Sequence, residues 1–270
     1  MQDMKKARFA SVLIMLPAVM LGIAAMEAAN VSPLLWGQHA AAYFVFAMIG
    51  TLCCSPRRIR DGVWVGLLMA VLASTLLFPE VGGAKRWLDL GIFNINAAQL
   101  VLPALLVLSA KHKNHCAIFL STAAVLFLQP DSSQGTALLA GALPILWNRR
   151  QKTSLSMIAF GALVTFALVS FAIPTTLHPV EYCEGILSML NNLSPVLKVI
   201  GWITLAIIPC FWAYCFYQSR SAALLSLALY YAVSLSFGLT GEYPVPFMGF
   251  GISSIAGYCL ALVFFQSSVE

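Results

Sequence analysis

The chain is built of long apolar runs separated by short polar breaks. Runs of about twenty residues are what a helix needs to cross a bilayer's hydrocarbon layer. The pattern predicts spans over 9–28, 33–54, 62–79, 96–110, 114–128, 133–148, 154–174, 196–217, 221–239 and 247–266. Each is bounded by charge or by Gly, Pro or Asn, the residues that punctuate helices. The fifth is short for a full crossing, which suits a tilted or re-entrant segment. The longest break, "TTLHPVEYCEGILSMLNNLSP" (175–195), holds an amphipathic stretch predicted to lie at the membrane interface.

Charge orients these ten spans. With the N-terminus inside, twelve basic residues fall in inner segments: Lys5, Lys6, Arg8, Arg57, Arg58, Arg60, Lys111, Lys113, Arg149, Arg150, Lys152 and Arg220. Only Lys85, Arg86 and Lys198 fall outside, completing the fifteen Lys and Arg of the chain. That asymmetry is the positive-inside pattern. The acids Glu27, Glu80, Asp89, Asp131, Glu181, Glu184 and Glu242 lie at or near the outer face. The span centres carry almost no ionisable residue, and ion-coupled transporters usually hold such groups deep in the bundle. The first apolar run is too long for a signal peptide's hydrophobic region and is expected to be an uncleaved span.

Composition agrees. Sixty per cent of residues are hydrophobic, 9% are charged and the mean hydropathy is +0.88, leaving too little polar surface for a water-soluble domain. The expected fold is all-α and polytopic, one integral membrane domain over 1–270. Of Cys53, Cys54, Cys116, Cys183, Cys210, Cys215 and Cys259, only Cys183 lies in an outer loop, so no disulfide framework or metal set is expected. His39, His112, His115 and His178 show no ligand spacing. The net charge of +5 is dispersed through short loops and indicates no nucleic-acid partner.

Four outer stretches carry the candidate chemistry: "GGAKRWLDLG" (82–91), "QPDSSQGT" (129–136), the 175–195 loop and "TGEYPVPFMGFGISS" (240–254). In sequence order, three resemble motifs of the SEDS family, the RodA-, FtsW- and SpoVE-like shape, elongation, division and sporulation proteins. Gly83 to Gly91 match its G-A-[KR]-R-W pattern, and Gln129, Pro130, Asp131, Gly135 and Thr136 match Q-P-D-x-G-T with two additional residues. Pro244 to Ser254 match P-[LV]-P-F-x-[SG]-[YF]-G-G-S-S, with Ile252 in place of a glycine.

The resemblance implies cell-wall biogenesis, in cell shape or division, in a bacterial inner membrane with both termini cytoplasmic. SEDS proteins are glycosyltransferases that polymerise lipid II, generally beside a class B penicillin-binding protein. It implies binding of lipid II or a similar polyprenyl-pyrophosphate sugar by Lys85, Arg86, Trp87, Asp89, Gln129, Pro246, Ser253 and Ser254. A leaving pyrophosphate needs cationic stabilisation, which Arg86 and Lys85 would supply. The attacking hydroxyl needs a base. The family's long loop bears a catalytic Asp in L-P-E-x-x-[TS]-D-F; that motif is missing here, and Gln99 stands where the family has Glu. The candidate bases are therefore Asp131, Glu181 and Glu184, and reduced or altered activity is expected. The alternatives are a fully active transferase with a relocated base and a lipid flippase or transporter. No cofactor is indicated, and a divalent cation is compatible with the chemistry. Each residue also has a plainer role. Arg86 would pair with Asp89 or Asp131, Asp131 would cap the sixth span, Glu181 and Glu184 would be a solvated loop face, and Gly249, Gly251, Ser253 and Ser254 would suit close helix packing.

Overall fold

The computed structural model describes residues 2–53, 60–91, 94–147, 154–173 and 179–265, with side chains from Ala7 onward. Cys54, Arg57, Arg58, Arg149, Arg150, Lys152 and His178 lie outside the described residues, as do the side chains of Lys5 and Lys6. Eleven helices are described: α1 Gln2–Ala28, α2 Pro33–Leu52, α3 Asp61–Ser74, α4 Ala97–Ser109, α5 His115–Leu128, α6 Ser132–Leu146, α7 Ser154–Ala172, α8 Ile186–Leu193, α9 Pro195–Ser219, α10 Ala222–Gly238 and α11 Ile252–Phe265. A 3₁₀ turn, Thr75–Leu77, follows α3, and β1 Trp87–Asp89 pairs antiparallel with β2 Asn94–Asn96.

Ten helices answer the ten apolar runs, and α8 is the amphipathic stretch of the long loop. Its Ile186, Leu187, Met189 and Leu190 are buried against the bundle, where α8 packs on α1 and α9. Helices are the necessary form here, because a bilayer offers no partners to backbone N–H and C=O groups.

Helix α4 is the axis of the bundle. Twelve of its thirteen residues are buried, and it packs against α3, α6, α10 and α11. A helix apolar on every side has no lipid or water face to keep and goes to the centre. Gly257 lets α11 close onto α4: a Cβ there would sit 2.0 Å from the Gln99 carbonyl oxygen. Helices α7 and α9 are peripheral, with Ile158 and Leu168 on one and Val196 and Ile203 on the other exposed to the surroundings. Segments Ala7–Ala28, Ser154–Ala172 and Pro195–Ser219 are long and apolar enough to cross a membrane alone. Helix α5, at fourteen residues, is only about 21 Å long.

The last span begins later than the hydropathy predicts, at Ile252 rather than 247. The segment before it, 244–251, is non-helical. Pro244 and Pro246 cannot donate helix hydrogen bonds, and Phe247 has φ +69°, outside the helical region.

Candidate functional site

All four polar stretches meet at one end of the bundle, called the loop end below. The first is a β-hairpin. Trp87 is opposite Asn96, Leu88 opposite Ile95 and Asp89 opposite Asn94. Gly91, at φ +81°, accommodates the turn, and its N–H donates to the Asp89 carboxylate at 2.8 Å. Asn96 ends the hairpin and caps α4, accepting from the Gln99 N–H at 3.0 Å.

Arg86 leads into the hairpin and is 7% exposed. Its Nε donates to the Pro130 carbonyl at 3.1 Å and its Nη2 donates to the same oxygen. Nε also stands 3.8 Å from Oδ2 of Asp131. Asp131, 1% exposed, is the N-cap of α6: Oδ1 accepts from the Gln134 N–H at 3.1 Å and from the Ser133 hydroxyl at 2.9 Å. One Asp131 oxygen therefore serves the helix start and the other faces Arg86. Gln129 secures the other side of the turn, donating to the Leu72 carbonyl at 2.9 Å and to the Thr75 hydroxyl at 2.6 Å.

The 244–251 segment is held from several directions. His39, in α2, donates from Nε2 to the Phe247 carbonyl at 3.0 Å, and the Phe247 N–H donates to the Ser254 hydroxyl at 3.1 Å. These bonds grip both polar groups of a residue in the left-handed region, a conformation that a phenylalanine keeps only where its surroundings hold it. The Ser253 hydroxyl accepts from the Asn96 N–H at 2.8 Å, tying this segment to the hairpin. Ser132 and Tyr243 share a hydroxyl–hydroxyl bond of 2.8 Å, tying it to α6.

The long loop closes the set. The Val245 N–H donates to the Cys183 carbonyl at 3.3 Å and the Phe250 N–H to the Tyr182 carbonyl at 2.7 Å. A Cβ on Gly249 would sit 2.2 Å from the Cys183 oxygen, so glycine permits this approach. Glu184 turns back to accept from the Val180 N–H at 2.8 Å. Burial raises the Glu184 carboxyl above the usual carboxylate range, opposed in part by that bond. Burial, with Glu184 beside it, pushes the Cys183 thiol up to about 12, so it stays protonated and inert as a nucleophile.

Of the sequence-predicted residues, Arg86, Gln129 and Asp131 form one cluster; Pro246 is buried in the adjoining segment, and Ser253 and Ser254 are buried in the first turn of α11. Lys85 and Trp87 are half-buried beside them, and Asp89 is exposed at the hairpin turn. Glu181 is exposed and Glu184 half-buried on the loop that covers the 244–251 segment. Sequence reasoning passed over Gln134 and Tyr230. The Tyr230 hydroxyl donates to Gln134 Oε1 at 2.6 Å, and Gln134 Nε2 donates to the Ser234 hydroxyl at 3.4 Å, both well buried. This polar line runs from Asp131 down between α6 and α10. The signal for Gln134 was its place inside the polar stretch 129–136, three residues after Asp131. Tyr230 lies in an unbroken hydrophobic run and gave none. All six cysteines among the described residues are free, and no group of three or more metal-ligating side chains occurs among them.

Beside Asp131 a shallow crevice of about 10 Å³, room for a single water, lies between α5, α6 and α7. Asp131 is its one charged lining residue; Leu126, Phe127, Leu138, Leu163 and Phe166 supply most of its wall.

No known protein family matches the sequence, and no curated protein matches it. Solved structures do. Rod shape determining protein RodA of Thermus thermophilus matches with a TM-score of 0.65 at 16% identity, over 97% of this chain and 97% of that chain. A mutant of the same protein gives 0.66 at 16% identity, over 97% and 98%. A chain from a peptidoglycan synthase complex that coordinates polymerization and crosslinking gives 0.65 at 17% identity, again over 97% and 98%. The chain is an all-α polytopic membrane protein. Its fold, more particularly, is that of the SEDS proteins as seen in RodA.

Proposed function

We propose that this is a SEDS-like protein of cell-wall biogenesis, seated in a bacterial inner membrane with both termini cytoplasmic and the loop end outside. In this reading it binds lipid II or a related polyprenyl-pyrophosphate sugar at the loop end and has reduced or altered glycosyltransferase activity. One observation carries the proposal: three separate SEDS-like motif stretches are hydrogen-bonded into a single cluster at one end of a RodA-like fold. The synthase complex among its structural neighbours supports a partner of the class B penicillin-binding-protein kind.

The residues divide the work. Arg86 is fixed by Pro130 and Asp131, so its charge is preorganised at the cost of its freedom to follow a ligand. Lys85, next to it and half-exposed, is the cation able to meet a pyrophosphate directly. Transfer requires a sugar hydroxyl to bond the anomeric carbon as the bond to pyrophosphate breaks, with the hydroxyl proton passing to a base. Both Asp131 oxygens already face donors, leaving it poorly placed to take that proton. Glu184 favours a second reading, a relocated base. It is half-buried with a raised carboxyl pKa, the kind of environment found around acid–base groups.

Lipid II binding to the protein in nanodiscs tests the proposal. Lys85→Ala should weaken binding about tenfold, the scale of one lost charge-assisted contact, and polymerisation by the protein alone should be slow or absent. No binding by the unaltered protein would overturn the reading. Robust polymerisation, lost in Glu184→Gln and kept in Asp131→Asn, would replace reduced activity with the relocated base.

A further inference from the structure

Helix α9 keeps a long face outside the bundle. Its Ile200, Ile203, Ile207, Tyr214 and Tyr217 are each 40% to 66% exposed, at a spacing that puts them on one stripe. At 25 residues the helix is about 37 Å long, against a hydrocarbon layer of about 30 Å, so its ends stand in the headgroup layers. It starts beside α8 at the loop end, which places its last turn at the opposite surface. There Arg220 closes the helix in the left-handed region, at φ +56° and ψ +23°. Glycine takes this position without steric cost, and an arginine does not. The arginine side chain is held in place all the same: its guanidinium carbon lies 5.2 Å from the Tyr217 ring centroid and 5.8 Å from that of Phe216. The buried arginines Arg8 and Arg86 both donate to carbonyls. The Arg220 guanidinium and the Tyr217 hydroxyl, both exposed, have no hydrogen-bond partner among the described residues.

We propose that Arg220 and Tyr217 seat the phosphodiester of an anionic phospholipid in the leaflet opposite the loop end, with an acyl chain lying along the α9 stripe. A guanidinium held over two rings keeps its fork of N–H donors for the phosphate oxygens, and the Tyr217 hydroxyl adds a further donor beside it. The stripe argues for a lipid over a free phosphate. From Ile207 to Tyr217 the helix rises about 15 Å, half the hydrocarbon layer, so an apolar track one leaflet deep leads away from the cation. Charge argues for an anionic lipid, because a zwitterionic head brings its own ammonium to compete for the phosphate. The inference needs only the membrane fold, and its site lies at the other end of the bundle from the one proposed for the polyprenyl substrate.

The full chain in mixed micelles is titrated with phosphatidylglycerol and with phosphatidylcholine of the same acyl chains, and bound lipid is counted by native mass spectrometry. Phosphatidylglycerol should bind the more tightly, and Arg220→Gly should weaken it about tenfold, the scale of one lost charge-assisted contact. Glycine suits the left-handed backbone, so the unfolding temperature of Arg220→Gly should hold or rise. Arg220→Lys keeps the charge without the fork and should fall between Arg220→Gly and the unaltered protein. Arg60 supplies the control: it is exposed at the same surface with no aromatic ring beneath it among the described residues, and Arg60→Gln should leave binding unchanged. Unchanged phosphatidylglycerol affinity in Arg220→Gly overturns the proposal and leaves Arg220 a helix end only. Equal losses in Arg220→Gly and Arg60→Gln overturn it too, by reducing the effect to net surface charge. Displacement of the lipid by inorganic phosphate does the same, by assigning the donors to a soluble anion.

Discussion

The two ends of the bundle each bury an arginine, and they use it differently. At the end opposite the loops, Arg8 is 3% exposed and lies against the C-terminus of α2. Its Nε donates to the Gly50 carbonyl at 2.9 Å, and its Nη2 donates to the Gly50 and Cys53 carbonyls. Helix ends leave carbonyls without intrahelical partners and carry partial negative charge, so this guanidinium completes a helix. At the loop end, Arg86 also binds a carbonyl, but it adds a carboxylate that borders a shallow crevice and has a second, half-exposed cation beside it. A buried arginine is therefore no mark of a site by itself. What separates the two is the company: helix-end carbonyls at one end, and at the other an acid and a free-reaching base.

Arg86→Ala should have the larger effect. It leaves Asp131 as a buried carboxylate without its cation and detaches the hairpin from the α5–α6 turn. Breaking one partner of a buried pair costs about 3–5 kcal/mol, measurable by equilibrium unfolding in mixed micelles. Arg86→Ala with Asp131→Leu should recover part of that loss, because no lone charge then remains. A single variant as stable as the unaltered protein would show that the pair is not coupled. This cost also makes Arg86→Ala a poor probe of ligand binding, for which Lys85→Ala is cleaner.

Arg8→Met keeps the apolar stem and removes the donors. It should cost about 1–3 kcal/mol, the penalty for leaving buried carbonyls unpaired, and should leave lipid II affinity unchanged. Loss of affinity on a par with Lys85→Ala would erase the distinction between the two ends.

The legible parts of the molecule were those written in period and charge. The ten spans follow from apolar length, and α8 from the amphipathic stretch in the long loop. Asp131 as a helix cap followed from its residue type before a span. The hairpin did not show, because a three-residue strand is too short to display alternation, and its register depends on the Asn96–Ser253 contact 157 positions away in the chain. The buried 244–251 segment read as the start of a span, since Phe247 and Met248 are as apolar as any helix residue; the unwound backbone is held by partners distant in the chain, among them a histidine 208 positions earlier. Hydropathy reports that a residue leaves water. It does not report whether the residue is in a helix when it does.

The smallest expected effect concerns Glu184, the acid that differs most from Asp131. Asp131 sits opposite a cation; Glu184 has backbone N–H groups, those of Val180 and of Glu184 itself, to offset its burial in part. Burial disfavours the charged form, so the carboxyl pKa is raised in the folded protein above its ordinary value of 4.5. A carboxyl whose pKa rises on folding binds its proton more tightly when folded. Its contribution to stability is fully present below the ordinary value and is lost as pH climbs through the raised one. Stability should thus rise modestly as pH is lowered from neutrality toward 4.5, insofar as Glu184 governs it, and Glu184→Gln should flatten that slope because the amide does not titrate. The difference between the two unfolding curves across that window isolates this one carboxyl from the rest of the chain. Parallel curves would place Glu184 in water with no penalty for its charge, and with that would go the environment that makes it a candidate base.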